Sequence, residues 1–312
     1  MFTRSPRASG FTLIELAIVI ALVGLAGAFL LNITGGMRDA NNRRNVRTTL
    51  DTVDIALANF VAANQRLPCP ADGAVASGAA SAGIEQVAAN GACNAAILAR
   101  GVVPWVTLGM SENDATDPWL ARLTYRVDPV LARTTAPRLM NMSRCDPAAT
   151  GPVGSAGECV ASVASCTGSA ACTAPSNFLA NKGLDVWDGQ NGTTGFNQRH
   201  NSRAGGTGAA YVVISHGPNG IRAYNSTGIL QQGSMPAHPQ NEAPNFNNQA
   251  VVLAATEANV YRDAPPNENP VLQPTPPGPP PPPQTRFYAD DYVSHPSIMT
   301  VLGKANLGPR AH

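Results

Sequence analysis

An uninterrupted apolar run near the N-terminus limits this chain more than any other feature. Residues 11–31 read FTLIELAIVIALVGLAGAFLL, 21 residues with Glu15 as the one charge. As a helix the run would be about 30 Å long, the thickness of a bilayer's hydrocarbon core. A buried soluble helix is a poorer account of an apolar stretch of this length. Export or membrane insertion therefore comes first in the reading.

A secretory signal is one form of export. Arg4 and Arg7 precede the run, and Ala26-Gly27-Ala28 supplies a small-x-small cleavage match. Glu15 argues against it, because a carboxylate at the membrane centre costs up to about 2.5–3.5 kcal/mol. A disposable signal has no use for that cost, and an intramembrane acid calls for a named partner. Cleavage between Gly10 and Phe11 would create one. The new α-amino group would be a cation at the start of the helix, and Glu15 would lie about 6 Å further along the axis. In a staggered array of parallel helices, Glu15 of one subunit pairs with the amine of a neighbour and fixes the axial register. The local alternative is that Glu15 complements its own helix N-terminus.

Gly10-Phe11-Thr12-Leu13-Ile14-Glu15-Leu16, after a short basic leader, resembles the type IV prepilin processing motif. That family comprises type IV pilins, minor pilins and type II secretion pseudopilins. The resemblance covers about 60 residues well and the remainder loosely. It implies cleavage after Gly10 by a prepilin peptidase, methylation of Phe11 by the same enzyme, and a role for Glu15 in filament assembly. It also implies a single-pass protein of the bacterial inner membrane. Its head would lie in the periplasm, with membrane lipid around the helix before assembly and other pilin or pseudopilin subunits around it afterwards. The balance of cations runs the other way. Arg4 and Arg7 lie before the span, whereas Arg38, Arg43, Arg44 and Arg47 follow it, and the positive-inside count alone would reverse the topology.

The expected organisation is a leader over 1–10, a transmembrane or filament-core helix over 11–35, an amphipathic helix over 36–66 and a head over 67–312. Val46, Leu50, Val53, Leu57 and Phe60/Val61 recur at helical spacing, so this stripe should lie on the head. Leu67-Pro68 should end the helix. Gly35-Gly36 marks a weak point within it.

The fold class is α+β: the long helix packed against a small, mostly antiparallel sheet with long disulfide- and proline-rich loops. Strands are expected at 122–127, 211–215 and 250–253, with 221–224 returning after the turn Gly217-Pro218-Asn219-Gly220. Asp117-Pro118-Trp119 is similar to the Asp-x-Trp-Gly segment of pseudopilin heads, with Leu120 in place of the glycine. Tyr211 to Gly220 and Asp290-Asp291-Tyr292-Val293 resemble the late strand and the closing strand of those heads. A Cys-rich insertion is expected over 129–208 and a Pro-rich loop over 264–286. The latter holds the run Pro279 to Pro283, which favours an extended spacer.

Six cysteines suit an exported, disulfide-bonded head better than a metal site, since they lack Cys-x-x-Cys spacing. Proximity alone suggests Cys69–Cys93, Cys145–Cys159 and Cys166–Cys172. No metal or other cofactor is expected. The weak exception is calcium on Asp185, Asp188 and Asn191, a set that lacks EF-hand spacing and reads more readily as Asx turns. G-type major pseudopilins carry calcium in a head loop. Catalysis finds no support: the five histidines are scattered, and Ser215-His216 face opposite sides of a strand. The net charge of +1 gives no sign of nucleic-acid binding.

The sequence therefore reads as a non-enzymatic minor pilin or pseudopilin subunit. K-type minor pseudopilins lack the acid present here as Glu15, which disfavours that branch. The alternative is a pilus-tip adhesin or DNA-uptake subunit on the same filament, with its binding surface in 129–208.

Overall fold

A computed structural model of the chain describes residues 13–98, 100–161, 171–188, 198–201, 208–233, 245, 261–264 and 289–311. It divides into two compact units, Met1–Asn45 and Val46–His312. Helix α1 is assigned over Leu13–Asn64. The assignment runs through Gly35-Gly36; two glycines lower helix propensity by about 1 kcal/mol each without removing backbone donors. Among the described residues no helix is long and apolar enough to cross a membrane. The transmembrane reading of 11–35 therefore stays with the sequence.

The second unit begins with the amphipathic part of α1. Val46, Val53, Leu57 and Val61 are fully buried and Leu50 nearly so, as the helical spacing requires. Phe60 is only half-buried and carries the Arg66 guanidinium 5.0 Å above its ring. The helix stops at Asn64 because Gln65 turns left-handed, with φ 55°. Its amide still donates to Val61 O at 2.7 Å, which closes the last turn.

The strands, in chain order, are β1 (Ala71–Asp72), β2 (Gly101–Val102), β3 (Ala121–Arg122), β4 (Thr124–Val127), β5 (Val186–Asp188), β6 (Gln198–His200), β7 (Tyr211–Ser215), β8 (Tyr224–Asn225), β9 (Tyr261–Asp263) and β10 (Tyr292–Ser294). The main sheet has the order β1-β2-β4-β7-β10, and all its pairs are antiparallel. A three-stranded sheet, β6-β5-β9, contains one parallel pair, β5 with β9. A small ribbon joins β3 to β8.

Strand β7 explains the layering. All five of its residues are buried. Tyr211 and Val213 pack in the large core with the α1 stripe, whereas Val212 and Ile214 pack with Val186 and Tyr261 of the second sheet. Side chains alternate across a strand, so a continuous apolar run is what a strand covered on both faces requires.

Two strand expectations come out differently. Residues 121–127 form two strands in different sheets, because the chain shifts at Leu123, whose amide and carbonyl bond Ala115 and Val103 instead. Residues 221–224 do not return alongside β7. That edge is taken by β10, with Val293 opposite Ile214, and the turn is tied to the same segment: Asn219 Nδ2 donates to Asp290 Oδ1 at 2.9 Å. The segment instead reaches β8. The expected strand at 250–253 lies outside the described residues.

The stretch 129–208 is woven into the head. Helix α2 (Ala95–Leu98) precedes it, and within it α3 (Pro175–Leu179) places Phe178 and Leu179 in the large core. Helix α4 (Ile298–Lys304) closes the chain, with Ser297 Oγ accepting the Thr300 amide as its N-cap. Cys69–Cys93 and Cys145–Cys159 are bridged, with Cα separations of 5.2 and 5.0 Å. Loops of these lengths contribute about 3 kcal/mol each through chain entropy. Cys172 is also disulfide-bonded; Cys166 lies outside the described residues.

Candidate functional site

The residues with a predicted processing or assembly role are Gly10, Phe11 and Glu15. Gly10 and Phe11 lie outside the described residues. Glu15 stands in the first turn of α1. Around it the large apolar side chains from Leu13 to Val23 are 49–88% exposed. An apolar surface this continuous exceeds the patches that a soluble monomer ordinarily leaves uncovered.

The head is fastened to α1 by more than its apolar stripe. Asp54 sits in that stripe, 9% exposed. Its carboxylate accepts hydrogen bonds from Tyr211 Oη at 2.9 Å and from Ser294 Oγ at 2.6 Å. One acid thus ties the helix to β7 and β10 together. Burial pushes its pKa above the ordinary carboxylate value, and the two hydroxyls pull it part of the way back.

Arg122 fixes the loops at the far edge. Its side chain is 1% exposed and pairs with Glu112 at 2.8 Å. It donates to the carbonyls of Gly73, Val75 and Ser226 at 3.0, 2.6 and 3.2 Å and lies 4.9 Å above the Trp105 ring. The Asp117-Pro118-Trp119-Leu120 turn is likewise internally satisfied. Asp117 Oδ1 accepts the amides of Trp119 and Ala121, and Oδ2 accepts Ser215 Oγ at 2.7 Å. Desolvation raises the Asp117 pKa against those bonds. Leu120 takes φ 67°, the conformation a glycine would hold, and leaves its side chain 76% exposed.

Ser215 and His216 do face apart. His216 Nε2 lies 2.9 Å from Thr124 Oγ1, and its Nδ1 lies 3.3 Å from Asp291 Oδ1. This carboxylate–imidazole–hydroxyl order is the order of a nucleophile triad. Thr124, His216 and Asp291 are 3, 1 and 7% exposed, however, so the hydroxyl is enclosed, and the hydrogen bond between His216 Nε2 and Thr124 Oγ1 ties the end of β7 to β4. A second cluster joins His200 Nε2 to His295 Nδ1 at 3.0 Å, and His295 Nε2 to Asp263 Oδ2 at 3.1 Å. Both were invisible in the sequence because the hydrogen-bonded partners lie 32 to 95 residues apart.

Of the calcium candidates, Asp185 is buried, Asp188 is paired with Arg199, and Asn191 lies outside the described residues. Among the described residues no group of three or more His, Cys, Asp or Glu is arranged to hold a metal ion.

An exposed apolar helix with an acid in its first turn leads into a disulfide-bonded α+β head. Residues 5–31 match the family described as the prokaryotic N-terminal methylation motif, so the chain carries the type IV prepilin-like signal. That motif marks pilin-like structural proteins and implies processing by a prepilin peptidase and assembly with other pilin subunits. No curated protein and no solved structure matches the chain.

Proposed function

We propose that this chain is a structural minor pilin or pseudopilin subunit of a type IV pilus or type II secretion pseudopilus. The prepilin peptidase cuts after Gly10, and Phe11 becomes the methylated first residue. The apolar half of α1 anchors the precursor in the inner membrane and then moves sideways into the filament core. There Glu15 pairs with the α-amino group of a neighbour, since a carboxylate among apolar helices needs a cation. The head, held to α1 through Asp54 and the Val46–Val61 stripe, is displayed outside the membrane. A head this large exceeds what a bulk subunit needs for packing, which favours a low-copy position.

The observation that carries this reading is the processing motif of residues 5–31 joined to an apolar helix surface with nothing over it. Intact-mass analysis after co-expression with a prepilin peptidase tests it. The mature chain should begin at Phe11 with one added methyl group, and Glu15→Ala should be processed yet fail to enter filaments. A mature N-terminus at Phe29 would instead assign the run to a secretory signal. Unimpaired incorporation of Glu15→Ala would remove the pairing role.

A further inference from the structure

The histidine pair on the second sheet has no part in anchoring or filament assembly. His200 ends β6, His295 follows β10 and Asp263 ends β9, so three distant segments bring these side chains to one place. His200 Nε2 lies 3.0 Å from His295 Nδ1, and the two rings meet edge to face with centroids 5.0 Å apart. On its other side, His295 Nε2 lies 3.1 Å from Asp263 Oδ2. Solvent reaches the cluster: the side chains of His295 and Asp263 are 18 and 39% exposed, and His200 is half-buried.

The carboxylate sets the chemistry of its neighbour. A carboxylate only accepts, so His295 Nε2 carries the hydrogen and its lone pair sits on Nδ1, toward His200. A carboxylate behind one ring nitrogen and a lone pair on the other is the arrangement that orients metal-ligating histidines and raises their basicity. His295 stands between Asp263 and His200, so the three side chains do not converge on one point, but the two facing nitrogens do. An ion about 2.0–2.1 Å from each nitrogen would see an angle of about 91–97° across their 3.0 Å separation. That is near the right angle of a tetragonal site, which suits Cu(II) or Ni(II), and below the tetrahedral angle of zinc. Copper is the tightest-bound ion of the divalent first-row series.

The surrounding charges admit a cation. Asp188 lies opposite Asp263 in the β5–β9 register, and Arg199 is paired with Asp188, so two carboxylates stand against one guanidinium. Among the described residues no cysteine is free, so no thiolate there competes for the ion. We propose that His200 and His295 bind a Cu(II) ion between Nε2 and Nδ1, with Asp263 holding the His295 ring and water filling the remaining positions. The hydrogen between the two nitrogens moves to His200 Nδ1, or to water where that atom is already protonated. This site goes beyond the filament role, which needs no metal.

The test titrates Cu(II) into the full-length chain in detergent. Electron paramagnetic resonance reads the bound copper, and spin-echo modulation counts the imidazoles on it. The wild type should take up one equivalent with two imidazoles coordinated. His200→Gln and His295→Gln should each lose the two-imidazole signal. Asp263→Asn leaves both ligands in place and should keep that signal while weakening binding about 10–100-fold. Wild-type copper with fewer than two imidazoles, or a two-imidazole signal that survives either histidine substitution, overturns the site. Unchanged affinity in Asp263→Asn overturns the positioning role of the carboxylate. Each of these failures leaves the filament reading in place.

Discussion

Removing the Asp54 carboxylate should loosen the head from its helix, and the size of the effect can be worked out. Two hydroxyls donate to it, Tyr211 Oη at 2.9 Å and Ser294 Oγ at 2.6 Å. Hydrogen bonds to a charged group contribute about 1.5–3 kcal/mol each. Against this stands the burial that raises its pKa, which Asp54→Ala would relieve. A net loss of about 3 kcal/mol is expected, or a thermal midpoint roughly 6–12 °C lower. Tyr211→Phe alone should cost about 1–2 kcal/mol, and the Asp54→Ala/Tyr211→Phe pair should fall short of additivity by about 1–2 kcal/mol.

The pH dependence gives an independent check on the same residue. Because the folded pKa is raised above 3.8, the native state keeps a proton that the unfolded chain has already released. Stability from this group is then greatest in acid and falls as pH rises through the folded value. Asp54→Asn cannot titrate, so the wild type should lose ground to it between pH 4 and pH 7. The buried Asp117 and Asp128, also raised by desolvation, tilt both proteins alike and cancel. Urea unfolding of the detergent-solubilised chain across that range measures the difference. A gap that is flat with pH, or one that moves in favour of the wild type as pH rises, would refute the burial argument. Additive single substitutions would refute the direct bond.

Two further outcomes follow from local geometry. Arg122→Met should cost about 3 kcal/mol, since it leaves three loop carbonyls without their buried donor and Glu112 with Ser77 Oγ alone; Arg122→Lys should recover little, because an ammonium cannot reproduce the planar fork. Thermal unfolding midpoints check both. Leu120→Gly should stabilise the head by about 0.5–1 kcal/mol, because it relieves a left-handed backbone and removes an exposed side chain. A lower urea midpoint for Leu120→Gly would show that the leucine side chain contributes packing.

The sequence alone determined the parts of this protein governed by short-range order. The apolar run, its one acid and the preceding glycine are contiguous, so the prepilin signal was readable directly. The stripe from Val46 to Val61 has helical spacing, and β7 is an unbroken apolar run, so both emerged buried where periodicity placed them. The pairings Cys69–Cys93 and Cys145–Cys159 followed from proximity, because short loops cost the least entropy to close. Tertiary structure decided everything that depends on long-range partners. The neighbours of β7, the split of residues 121–127 between two sheets and the core role of Phe178 were fixed by which edges and faces were already occupied. The partners of Asp54, Arg122 and His216 were fixed in the same way. A buried polar side chain accepts whichever group the fold brings within 3 Å, and periodicity along the chain carries no record of that choice.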